Sequence, residues 1–217
     1  NAECDHRRYG SHADQYFKFI LDDAVSGTGS VNKKMKKRWM TILTAAVVAA
    51  GLTGGCGSLQ KSGVDALEKG EYEEALADFQ QMTEKGGNDA AEGYRGLGMT
   101  YYEMEDYENA LEAFRNAADN GAEQTIQMYN LMGVCAMQTE DYASALEYIQ
   151  SGLALTGTSD GADKADEKLV QEMKYNEIIC YEQQADWENA KQKVTEYLEA
   201  YPDDEAVQKE AEFLETR

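Results

Sequence analysis

The chain has 217 residues, a formal net charge of −21 and a single proline. That length allows one domain or two with a sizeable core, and its abundance of Ala, Glu, Leu and Gln favours helix throughout. The acidic balance excludes sequence-independent nucleic-acid binding, because phosphate contact needs a basic footprint.

The charge is unevenly placed. Residues 1–56 hold eight Lys/Arg against five Asp/Glu, which leaves 12 against 36, a net of −24, in the remainder. Such a surface is either a solvated helical exterior or a docking face for a basic partner. The cysteines are Cys4, Cys56, Cys135 and Cys180, none in a CxxC pair, and the only histidines are His6 and His12. No zinc site, disulfide framework or cofactor site is therefore expected.

Residues 1–34 show no sustained apolar period, and the expectation is an unstructured extension or an over-extended reading of the gene, outside the mature protein. From Met35 the text changes to MKKRWMTILTAAVVAAGLTGGCGS. Lys36, Lys37 and Arg38 precede an apolar run from Trp39 to about Leu52, and small residues then lead to Cys56. This is the layout of a bacterial export signal over residues 35–56. The run falls short of the ~20 residues that a permanent membrane helix needs.

The segment Leu52-Thr53-Gly54-Gly55-Cys56 resembles the lipobox of bacterial lipoproteins, in which small residues precede a cysteine that is lipidated and becomes the new N-terminus. It departs from that pattern at Thr53, where the family prefers Leu. The resemblance implies lipid attachment at Cys56, with the body anchored outside the cytoplasm on the cell membrane. An uncleaved N-terminal membrane anchor is the alternative.

Beyond Cys56 one phrase recurs. Glu71-Tyr72-Glu73-Glu74-Ala75-Leu76 returns as Asp106-Tyr107-Glu108-Asn109-Ala110-Leu111, as Asp141-Tyr142-Ala143-Ser144-Ala145-Leu146 and as Asp186-Trp187-Glu188-Asn189-Ala190-Lys191. Gly63, Gly98 and Gly133 stand at a fixed distance before the aromatic residue, with Ile178 in the fourth copy; Phe79, Phe114, Ile149 and Val194 stand at a fixed distance after it. Together with Pro202, these positions resemble the tetratricopeptide repeat, a helical hairpin of about 34 residues. The resemblance covers about residues 57–204 and implies an all-α solenoid with a right-handed superhelical curl. Its hairpins span about 57–89, 91–124, 126–159 and 171–204, closed by a capping helix over 205–217.

Physical chemistry leads to the same arrangement. Ala75, Ala110, Ala145 and Ala190 suit a close helix crossing, and Asp106, Asp141 and Asp186 suit N-caps. A lone hairpin cannot bury its apolar stripe, so neighbours must stack. The inserted stretch near 156–168 is expected to be a polar loop; its Asp160, Asp163 and Asp166 lack the alternating ligand order of a calcium loop. Cys135 and Cys180 share one register and are expected to be small buried hydrophobes.

No nucleophile, acid/base pair or metal cluster stands out, so the chain is expected not to be an enzyme and to hold no metal or cofactor. In the tetratricopeptide-repeat family the first helices line a groove that grips a peptide or helix. The resemblance carries that role onto Arg95, Met99, Tyr102 and Glu103, onto Asn130, Val134, Met137 and Gln138, and onto Tyr175, Ile179 and Glu182. The expected function is a membrane-anchored, non-catalytic adaptor or assembly factor of the bacterial envelope, with a protein or peptide partner and no nucleic acid. A peptide- or glycan-binding accessory subunit of an envelope enzyme or transporter is the alternative.

Overall fold

A computed structural model describes residues 56–156 and 167–217. The export signal up to Gly55, His6, His12, Cys4, and the loop aspartates Asp160, Asp163 and Asp166 lie outside the described residues. The rest is helical: α1 (Cys56–Lys69), α2 (Tyr72–Thr83), α3 (Gly87–Glu103), α4 (Tyr107–Asp119), α5 (Ile126–Gln138), α6 (Tyr142–Leu155), α7 (Glu167–Gln183), α8 (Trp187–Ala200) and α9 (Glu205–Glu215). Each helix packs on the next in chain order, so successive pairs stack as hairpins and the core runs along the array.

The recurring phrase opens every second helix. In the last three hairpins the aspartate before the aromatic residue caps that helix: Asp106 accepts from the amide of Asn109, Asp141 from Ser144 and Asp186 from Asn189. Each such cap stabilises its helix end by about 1 kcal/mol. Glu71, in the same place in the first hairpin, makes no side-chain cap, and glutamate is not among the residues favoured at that position.

The turn between the two helices of each hairpin is also shared. Gly70, Glu105, Glu140 and Ala185 all adopt left-handed backbone, with φ of 74°, 60°, 61° and 55°. The amide that follows each returns to a carbonyl in the last turn of the first helix: Glu71 to Ala66, Asp106 to Tyr101, Asp141 to Ala136 and Asp186 to Tyr181. This is a Schellman-type closure, and only the first hairpin fills it with the residue that adopts it without a steric cost.

The hairpins close on the pairings that the register implies. A Cβ built at Gly63 would stand 2.9 Å from the Phe79 ring, at Gly98 2.7 Å from the Phe114 ring, and at Gly133 2.9 Å from Ile149. In the fourth hairpin Ile178 occupies the glycine position and faces the smaller Val194 within one cluster, so the same space is filled from the opposite side. Ala75, Ala110, Ala145 and Ala190 are all 0% exposed, as a close crossing requires.

The last helix seals the array. Val207 and Leu214 of α9 join the Ile178, Val194 and Tyr197 cluster. The Tyr197 hydroxyl donates to Asp204 Oδ2 at 2.7 Å and accepts from Gln171 Nε2 at 2.9 Å. Asp204 Oδ1 at the same time caps α9 by accepting from Ala206 and Val207. The Asp204 carboxylate thus ties the end helix to α8 and, through the Tyr197 hydroxyl, to Gln171 of α7.

Candidate functional site

The first helices α3, α5 and α7 come together on one side of the array. Tyr102 of α3 lies close enough to Cys135 of α5 and Glu172 of α7 for their charges to act on its hydroxyl. Burial, with those groups, Tyr107 and Glu103 adding to it, raises the Tyr102 pKa well above the usual phenol range. Its ring meets Tyr107 edge-on, with centroids 5.7 Å apart.

The residues expected to face a partner divide by exposure. Met99 (8%), Asn130 (4%), Val134 (5%) and Met137 (9%) are buried, filling the space among the first helices. Arg95, Tyr102, Glu103, Gln138, Tyr175, Ile179 and Glu182 are half-buried, and it is these that offer surface. Arg95 is held by Glu92 one turn earlier on the same helix, which answers its charge locally. Tyr175 packs edge-on to Tyr197, with centroids 6.4 Å apart, and anchors the far end of this strip.

Unsatisfied polar atoms lie along the same helices. Asn130 Oδ1, Asn176 Nδ2 and Glu182 Oε1 are buried without a hydrogen-bond partner. Burial and the neighbouring Glu210 of α9 push the Glu182 carboxyl up to about 8.

Three buried polar residues were not anticipated from the sequence: Thr100, whose hydroxyl donates to the Gly96 carbonyl, Asn176 and Glu177. Glu177 is 4% exposed; it accepts from Gln150 Nε2 at 3.0 Å and pairs with Lys193 at 3.4 Å, linking α6, α7 and α8. Asn176 beside it is 1% exposed. The available signal was register: Glu177 falls where Leu97 and Met132 fall in the preceding copies, and a lone charge at a core position demands a partner.

For chemistry the strip offers little. Among the described residues no group of three or more His, Cys, Asp or Glu side chains could hold a metal ion, and no helix is long and apolar enough to cross a membrane. Cys135 and Cys180 are free and buried, and burial pushes both thiols up to about 12. Neither supplies a thiolate at neutral pH. The arrangement presents shaped aromatic and aliphatic surface.

Comparison with known proteins agrees with this geometry. A family model described as "Tetratricopeptide repeat" matches residues 61–125 and 95–160. No curated protein matches the chain. Among solved structures, "MamA RS-1 ArsTM double mutant" is similar with a TM-score of 0.60 and 17% identity, covering 75% of this chain and 84% of that one. "MamA AMB-1 C2221" is similar with a TM-score of 0.54 and 13% identity, covering 73% and 85%. At these identities the likeness concerns the fold, an all-helical tetratricopeptide-type solenoid. Arrays of this kind present extended concave surfaces for binding.

Proposed function

We propose that the protein is a non-catalytic scaffold that holds a protein partner on its first helices while a lipid on Cys56 tethers it to the outside of a bacterial membrane. In that setting it acts as an adaptor or assembly factor of the cell envelope. The observation that carries the binding role is the strip on α3 and α7, where Tyr102, Tyr175 and Ile179 are half-buried beside a floor of Met99, Val134 and Met137. Tyrosines give large contact area at low rotamer cost, and the buried methionines beneath support them. A helix or extended segment laid there would cover apolar surface now facing water.

The tether is supported by sequence together with position. The small residues Gly54 and Gly55 precede Cys56, and α1 begins at Cys56 itself, so no linker separates the candidate attachment point from the first hairpin. Two acyl chains, at ~0.8 kcal/mol for each buried CH2, suffice for stable membrane attachment.

Site-specific photo-crosslinking in native membranes tests the binding surface. A crosslinking residue at Ile179 of the full chain is expected to capture a discrete protein adduct, whereas one at Lys191, exposed on α8, is expected to capture none. Adducts from Lys191 alone, or from neither position, refute the first-helix surface. For the tether, metabolic labelling with a palmitate analogue should mark the wild type and not Cys56→Ser; equal labelling would rule lipidation at Cys56 out.

A further inference from the structure

The stacking of the hairpins is uneven, and the unevenness leaves a pocket on the side of the second helices. Between the first two hairpins Gly93 and Gly96 seat α3 directly on α2. A Cβ at Gly93 would stand 2.8 Å from Met82 Cβ, the Phe79 carbonyl oxygen and the Thr83 nitrogen, and one at Gly96 would enter the Phe79 ring. The same registers in the third hairpin are Met128 and Leu131, both buried. Their side chains hold α5 off α4, and α4 packs on α5 less extensively than α2 packs on α3. The resulting pocket is about 270 Å³, floored by Met128 and Met132 and walled by Tyr129 and Tyr148. A cavity of ~150 Å³ holds benzene, so this one has room for a single large side chain.

Three charges ring the mouth: Asp119, Glu147 and Arg115. Arg115 is already engaged, its Nε donating to the Tyr148 hydroxyl at 2.7 Å and its guanidinium lying 5.7 Å from the centroid of that ring. Neither Asp119 nor Glu147 enters any ion pair formed among the described residues. The Tyr129 hydroxyl donates to Gln124 Oε1, which fixes the second aromatic wall.

We propose that this pocket receives an arginine side chain of a basic partner protein. Three methylenes of an arginine stem lie along the methionine floor, and the guanidinium fork meets Asp119 and Glu147 with its flat face toward Tyr129. A carboxylate would face two like charges, Asp119 and Glu147, against the one cation Arg115, whose Nε is taken by Tyr148. An ammonium would lack the fork and the flat stacking face. The net charge of −24 on residues 57–217 draws basic segments toward the surface. The site is separate from the first-helix surface and stands or falls without it.

The test is methyl NMR of the full chain labelled with 13C-methyl methionine, titrated with N-acetyl-arginine amide. Met128→Leu and Met132→Leu assign the two floor resonances. Both are expected to shift saturably with the arginine probe and to stay in place with the neutral N-acetyl-citrulline amide and with N-acetyl-glutamate amide. In Asp119→Asn/Glu147→Gln the dissociation constant is expected to rise about tenfold, equivalent to ~1.4 kcal/mol. Ser151→Trp, at an exposed position on the rim, is expected to abolish the shifts with an unchanged thermal midpoint. Absence of saturable shifts, equal response to citrulline, or undiminished binding in both variants overturns the proposal.

Discussion

A methyl group added at Gly98 tests the packing logic of the hairpins most directly. The new Cβ would stand 2.7 Å from two carbons of the Phe114 ring, against an ordinary carbon contact of ~3.5–4.0 Å. The ring is rigid and 1% exposed, so α3 and α4 must part by roughly 1 Å at the crossing. Overpacking costs about 1–3 kcal/mol, and a 2.7 Å contact with a rigid ring belongs to the upper part of that range, ~2–3 kcal/mol, offset by ~1 kcal/mol from replacing glycine by alanine in a helix. Gly98→Ala is therefore expected to lose about 1–2 kcal/mol, a fall in thermal midpoint of roughly 2–8 °C for a protein of this size. Phe114→Leu removes the obstructing ring carbons, as Val194 does opposite Ile178. The double variant should thus be more stable than the two single losses predict, by at least ~0.5 kcal/mol. Urea unfolding followed by far-UV circular dichroism measures all three. A Gly98→Ala protein as stable as the wild type, or strict additivity in the double variant, would refute the reasoning.

Other expectations follow from the turns, the caps and the end of the array. Ala185→Gly at the left-handed position of φ 55° should stabilise by about 0.5–1 kcal/mol, read as a raised thermal midpoint; a lowered one would contradict the strain. Glu71→Asp supplies the cap that the first hairpin lacks and should add roughly 0.5–1 kcal/mol, with slower amide exchange at Glu74. Burial and the neighbouring Glu210 push the Glu182 carboxyl in the folded protein up from its ordinary 4.5 to about 8. The folded protein therefore holds that proton more tightly than the unfolded chain. Its stability contribution is present below 4.5 and is lost as pH rises toward 8. Thermal midpoints at pH 5 and pH 8 should fall between the two in the wild type and differ less in Glu182→Gln; equal differences would dismiss the shifted carboxyl.

Much of the fold could be read in advance because the repeat states its contacts four times. Tyr72, Tyr107, Tyr142 and Trp187 set the phase, and the glycines counted back from them meet the large residues counted forward. The left-handed turns were less legible: Glu105, Glu140 and Ala185 sit where a glycine would have signalled the geometry, and tertiary closure of the hairpin imposes it instead. The binding surface was legible only as a set of registers. Whether Met99 and Val134 face a groove or fill the gap between helices depends on how near the neighbouring first helix lies. That distance is set by residues on other helices. The pocket is not legible in the sequence for the same reason, since it comes from a difference between copies, Gly93 and Gly96 against Met128 and Leu131, and not from what the copies share.

That difference also bears on how the array comes apart. In a chain of stacked units each hairpin is stabilised by its own contacts and by those with its neighbours, and the join between α4 and α5 is thinner than the join between α2 and α3. The helices α1–α4 therefore form the most tightly joined part of the array, and the joins that follow, α4 to α5, α6 to α7 and α8 to α9, are all thinner. Denaturant is expected to loosen the helices beyond α4 first, with the amides of α1–α4 protected longest. A scaffold built this way is stiffest over its first two hairpins and yields more easily beyond them.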